Sequence, residues 1–136
     1  MKFMYKEKEY NLIKENLIDF YNDEEKEVSG IDEDKILTLL KKLEFIDFEE
    51  QYYQEACGEC LNGVKEKQKF FEFLEYHFYI YTKNGEYIIS DISKEYEGLS
   101  FNKLLRKKEV DDSYIVSVMV CSNCSKFVLQ IDNCVV

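Results

Sequence analysis

Two short cysteine pairs, Cys57-Gly58-Glu59-Cys60 and Cys121-Ser122-Asn123-Cys124, constrain this chain more than any other feature. A Cys-x-x-Cys step lets two thiolates on one tight turn point at the same metal ion. Two such steps supply four sulfurs, the complete tetrahedral shell of a structural zinc. Sixty residues separate Cys60 from Cys121, so a shared ion would fasten distant parts of the chain together. Loop-closure entropy grows slowly with length, and a gap of this size does not argue against the site. The expected ligands are therefore Cys57, Cys60, Cys121 and Cys124, and the expected cofactor is zinc in a structural role.

With 136 residues the chain is long enough to bury a core, and one domain spanning residues 1–136 is expected. Hydrophobic residues make up 46% of it, too many for a disordered chain despite the 34% that are charged. The absence of Pro and Trp beside abundant Lys, Ile, Asn, Tyr and Phe reads as the codon bias of an AT-rich genome, so the eleven Tyr and ten Phe are not by themselves a binding signature. A net charge of −10 argues against a general polyanion-binding surface and leaves only a local basic patch for that role, because phosphate contacts need clustered Lys or Arg. Met1–Lys8 lacks the apolar core of a signal peptide. No apolar run approaches the ~20 residues needed to span a bilayer. A cytoplasmic location with no membrane partner is expected, and in that reducing compartment paired cysteines are metal ligands or catalytic thiols more often than disulfides.

Along the chain, Lys2–Tyr5 and Glu9–Ile13 alternate around a charged turn and predict an opening hairpin. Leu17, Ile18, Phe20 and Tyr21 read as a short helix, followed by an acidic surface loop ending in Ser29-Gly30. Asp32 offers a helix cap, and Ile36, Leu37, Leu39, Leu40 and Leu43 form an apolar stripe at helical spacing. Phe45–Ala56 mixes strand and helix cues, and Asn62-Gly63 breaks the chain. Lys65–Tyr76 reads as an amphipathic helix with Phe70, Phe71, Phe73 and Leu74 inward. From His77 the pattern becomes a strand, with Phe78, Ile80 and Thr82 on one face and Tyr79 and Tyr81 on the other. Asn84-Gly85 predicts a type I′ hairpin with Lys83 opposite Glu86 and Glu86–Ile92 returning. Ser100 caps a predicted short helix carrying Phe101, Leu104 and Leu105 on one face. Tyr114–Val120 and Lys126–Ile131 then form antiparallel strands with the second cysteine pair at their tip. The fold class expected from this is α+β: antiparallel hairpins, two or three helices, and a four-cysteine knuckle-like site.

The segment Val118–Phe127, VMVCSNCSKF, carries strand, Cys-x-x-Cys and strand in succession. It resembles the knuckles of zinc-ribbon and rubredoxin-type sites. The resemblance is local to the cysteine segments, about a fifth of the chain with their flanks. Those families often place Pro after the first Cys and Gly after the second; here Ser122 and Ser125 stand in those positions, and Leu61 follows the first pair. The resemblance implies a structural metal and says little of activity.

Other chemistry leaves weaker traces. Cys134 is a fifth thiol that can stand in for one of the four, or pack as a small apolar residue. A redox role needs a thiolate activated by positive surroundings, whereas Glu55 and Glu59 flank the first pair. His77 is the single histidine, and neither a Ser-His-Asp context nor a Gly-rich phosphate loop is evident. Lys103, Arg106, Lys107 and Lys108 form the one patch where an anionic partner can dock, although cations at a helix C-terminus also favour the dipole without any partner. The expected function is that of a non-enzymatic, zinc-stabilised binding or adaptor protein acting on a protein partner. The alternatives are a nucleic-acid-associated zinc ribbon using the basic patch, and a thiol redox or metal-sensing protein.

Overall fold

Alternating hydrophobicity in the second half of the chain dominates the architecture. The computed structural model describes residues 2–43, 46–61, 63–67 and 69–134. Its elements in order are β1 (Lys2–Tyr5), β2 (Lys8–Asn11), β3 (Leu17–Tyr21), α1 (Glu33–Lys41), β4 (Glu49–Tyr53), β5 (Phe71–Lys83), β6 (Glu86–Ser90), α2 (Phe101–Arg106), β7 (Asp112–Cys121) and β8 (Phe127–Asn133). β1 and β2 form a separate hairpin. The other six strands make one sheet in the order β3-β8-β7-β5-β4, with β6 also paired to β5.

One face of this sheet is apolar in register. Leu74, Phe78 and Ile80 of β5 lie beside Val116, Val118 and Val120 of β7 and Phe127, Leu129 and Ile131 of β8, all essentially inaccessible. The apolar stripe of α1, Ile36, Leu39 and Leu40, joins the same cluster. Asp32 starts this helix by accepting a hydrogen bond from the Lys35 amide at 2.8 Å, which satisfies a donor the helix itself leaves unpaired. The β1–β2 hairpin contributes Phe3, stacked on Tyr10 at 5.0 Å and on Phe48 at 4.2 Å. Glu50 of β4 ties that hairpin down, pairing with Lys6 and accepting from the Tyr5 hydroxyl at 2.8 Å.

The opposite face is only partly covered. Around Tyr81, α2 and the segments flanking it supply Leu104 and Val110 to a smaller cluster, with Tyr81 stacked on Phe101 at 4.9 Å. Ser100 caps α2 by accepting from the Lys103 amide. Further along, towards the cysteines, no helix covers this face among the described residues.

The opening hairpin, the α1 cap and the β7–β8 pair stand as expected. So does the Asn84-Gly85 turn, with φ of +52° and +79° and Lys83 opposite Glu86. The fold class does not. The chain is mostly β, built on one mixed six-stranded sheet, and α1 is the only described helix of seven residues or more. Leu17–Tyr21, expected as helix, is β3, a strand parallel to β8. Lys65–Tyr76, also expected as helix, splits: residues 63–67 are turns, and Phe71 begins a thirteen-residue strand. The spacing of Phe70, Phe71, Phe73 and Leu74 suits helix or strand, and pairing of β5 with β4 on one side and β7 on the other decides for strand. Phe70 is correspondingly exposed rather than inward. Phe45, Asn62 and Gln68 lie outside the described residues, so the expectations for the start of Phe45–Ala56, for the break at Asn62 and for Gln68 end there. Among the described residues no helix is long and apolar enough to cross a membrane.

Candidate metal centre

Strand register explains how the two cysteine pairs meet. Cys121 ends β7, and its neighbour across the ladder is Phe73, near the start of β5. β4 ends opposite that same start, with Tyr53 facing Phe71. The connection from β4 to β5, which holds Cys57 and Cys60, therefore leaves and re-enters the sheet beside the tip of the β7–β8 hairpin.

Each pair forms the same turn. The Ser125 amide donates to the Cys121 carbonyl at 3.0 Å, and the Leu61 amide donates to the Cys57 carbonyl at 2.9 Å. The residue following the second cysteine is left-handed in both, Ser125 at φ +68° and Leu61 at φ +50°. These are the positions where the knuckle resemblance would place Gly. Two non-glycine residues hold a conformation that costs about 1 kcal/mol each, so the turn geometry is enforced by its surroundings rather than by residue preference.

The sulfurs converge. Cys57 Sγ lies 3.7 Å from Cys124 Sγ, and Cys60 Sγ lies 3.7 Å from Cys121 Sγ. All four sulfurs are within 4.8 Å of one another. A disulfide requires about 2.05 Å, and none of the five cysteines is in a disulfide. With metal–sulfur bonds of about 2.3 Å, the edge of a tetrahedral four-sulfur shell is about 3.8 Å. Both close contacts match that edge, and each joins one sulfur from either pair.

With this geometry in view, comparison with known proteins places the chain without assigning a task. The family model described as "Protein of unknown function (DUF3785)" matches residues 1–136. The chain belongs to this family. No curated protein and no solved structure matches it. The likeness to zinc ribbons is thus confined to the two turns, and no zinc-ribbon family model accounts for the chain.

Electrostatics around the sulfurs bear on which chemistry they suit. Burial pushes the Cys121 thiol up to about 12 and raises that of Cys124. Without a cation these groups stay protonated, and a protonated thiol is a poor nucleophile. Two ammonium groups at these turns have oxygen partners. Lys126 Nζ lies 3.4 Å from Glu59 Oε2, an ion pair that bridges the two turns. Lys8 Nζ donates to the Ser122 and Asn123 carbonyls at 2.6 and 2.7 Å, beside the Tyr10 hydroxyl, which donates to Ser122 O at 3.2 Å. Ser122 Oγ in turn donates to Glu72 O at 3.1 Å. The second turn is thereby held from three directions.

The other candidates lie apart from this cluster. Cys134 follows β8 and its amide donates to Ser113 O, at the opposite end of β7 from Cys121, so it cannot replace one of the four. His77 sits on the uncovered sheet face, its Nδ1 2.9 Å from Ser117 Oγ and its Nε2 4.0 Å from Glu75 Oε1. Ser117 and Glu75 were not singled out by sequence reasoning. Only the register of β5 against β7, which no local signal encodes, places them beside the histidine. Lys103, Arg106, Lys107 and Lys108 are exposed at and just beyond the C-terminal end of α2, away from the cysteines.

Proposed function

We propose that Cys57, Cys60, Cys121 and Cys124 hold one zinc ion, and that the chain is a non-enzymatic binding module whose β4–β5 connection is fastened to its sheet by that ion. The observation that carries this reading is the pair of 3.7 Å sulfur–sulfur edges between remote turns. An all-sulfur donor set is soft and suits zinc, iron or copper(I); zinc is the choice for a closed tetrahedral site without redox work. When bound, the ion supplies the positive charge that keeps four thiolates together, two of them buried and two half-buried, and contributes directly to folding. Four protein ligands leave no open position for substrate or water, which argues against catalysis at this centre.

The redox alternative is less well supported. It needs a depressed thiol pKa, and burial moves Cys121 and Cys124 in the other direction. Elemental analysis of protein purified without added zinc decides the matter. One zinc per chain is the expected result, while metal-free protein with readily alkylated thiols would overturn the proposal in favour of redox chemistry.

A further inference from the structure

The sheet face beside the metal turns, which no helix covers among the described residues, is hollowed rather than flat. Register sets its floor: Phe73 lies beside Cys121, and Met119 lies between Glu75 and Val128. A space of about 470 Å³ stands over Phe73, Met119 and Val128, within the range of roughly 300–1,000 Å³ typical of small-molecule sites. Tyr21 on β3 and Tyr53 on β4 wall it from opposite sides of the sheet, and residues 54–58 of the β4–β5 connection add a third wall. The Tyr53 wall is preformed. Its ring meets Phe73 edge-on at 5.5 Å, and its hydroxyl donates to Glu75, a buried residue outside the lining. Ring faces and a thioether sulfur favour an aromatic occupant.

Charge decides which aromatic bodies fit. Among the described residues the lining holds one carboxylate, Glu55, and one ammonium, Lys126. Glu55 is exposed, and solvent ions screen its pull. Lys126 Nζ already has Glu59 Oε2 at 3.4 Å. The two formal charges of the lining cancel. An ion entering from water therefore gives up hydration over an apolar floor and gains no matched counter-charge in return. Two uncharged polar side chains, Gln54 and Gln130, also line the space, and an amide can both donate and accept. Asp132 holds the Gln130 amide in place, accepting from its Nε2 at 3.0 Å.

We propose that this hollow binds a neutral, flat aromatic molecule, its rings on Phe73, Met119 and Val128 between Tyr21 and Tyr53 and its polar edge at Gln54 or Gln130. The inference deepens the binding-module reading. It rests on the metal reading for one wall only, since Cys57 both lines the hollow and belongs to the sulfur cluster.

The test is a fluorescence titration of zinc-analysed full-length protein with N-phenyl-1-naphthylamine, a neutral dye. Its counterpart 8-anilinonaphthalene-1-sulfonate has the same ring skeleton with one negative charge, and thioflavin T supplies a flat cation. Saturable binding of one neutral dye per chain is expected, at least tenfold tighter than either charged dye. Met119→Arg and Val128→Arg should each abolish it, with zinc content and circular dichroism checked for every variant. Protein that fails to bind the neutral dye, binds a charged dye as tightly, or keeps its affinity in a folded floor variant overturns the proposal. So does a wild-type dimer, seen by sedimentation, that Met119→Arg splits into monomers, because a second copy then fills the hollow. Metal-free wild-type protein overturns the metal reading instead, and the dye titration still decides the hollow.

Discussion

The two cysteine turns share a backbone geometry but not a means of support. The turn at Cys121–Cys124 grows out of β7 and β8, whose ladder fixes both of its ends. Lys8, Tyr10 and Glu72 then hold its carbonyl groups and Ser122 from neighbouring elements. The turn at Cys57–Cys60 sits in a connection with no strand of its own among the described residues, close in sequence to exposed apolar side chains such as Leu61, Val64 and Phe70. Its own internal hydrogen bond, the Glu59–Lys126 ion pair and the sulfurs are among what attaches it. A surface ion pair of this kind is worth less than about 1 kcal/mol. The difference teaches that a shared ion would do unequal work: it would complete a turn whose two ends the sheet already holds, and it would anchor one that lies outside the strand ladders.

Removing the metal should break the symmetry most. Structural zinc in small sites contributes as much as about 10–16 kcal/mol of apparent binding energy at neutral pH. Chelation is therefore expected to expose residues 54–70 to proteolysis and fast hydrogen exchange while amides of β7 and β8 remain protected. Uniform loss of protection across both turns would show that they are equally dependent on the ion.

Single-ligand changes are next in size. Cys57→Ser and Cys121→Ser should each lower stability by about 3 kcal/mol, the upper range for losing a metal ligand or a buried network, seen as a melting temperature lower by about 10 °C. Their exchange patterns should differ, with Cys57→Ser loosening residues 54–70 alone. A melting temperature unchanged in both would remove the structural role.

Lys8→Met probes the support specific to the second turn. It removes charged hydrogen bonds to the Ser122 and Asn123 carbonyls, at an expected cost of about 1 kcal/mol. Protection of residues 54–70 should be untouched at saturating zinc. If that segment loosens as much as the β7–β8 tip, the two supports are not separable.

The smallest effects come from the left-handed residues. Ser125→Gly and Leu61→Gly each relieve a positive φ, and gains of up to about 1 kcal/mol are expected, offset by the freedom glycine adds to the unfolded chain. The gain should be larger at Ser125, where the sheet already fixes the turn. Chemical denaturation resolves the order, and a larger gain at Leu61 would reverse the comparison.

Much of the site was legible because each half of it is local. A Cys-x-x-Cys step occupies four residues, so its meaning survives without knowledge of the fold. The helix cap at Asp32 and the Asn84-Gly85 turn were readable for the same reason, since each depends on partners within a few positions. The long apolar alternations of β7 and β8 needed only a period of two. The errors fall where a segment suits two periods. Leu17–Tyr21 became β3 because β8 offers it a parallel edge, and Phe71–Tyr76 joined β5 because β4 and β7 flank it.

The sequence by itself determined the ligand types, their pairing on tight turns and the local stops and starts of the chain, all of which follow from interactions between near neighbours. Tertiary structure alone decided that sulfurs sixty-one positions apart lie 3.7 Å from each other, that Glu75 stands beside His77, and that no helix among the described residues covers the sheet face next to the cysteines. Those facts depend on which strands pair and in what register. Such pairing is set by burial summed over the whole sheet, a quantity that no short window of residues contains.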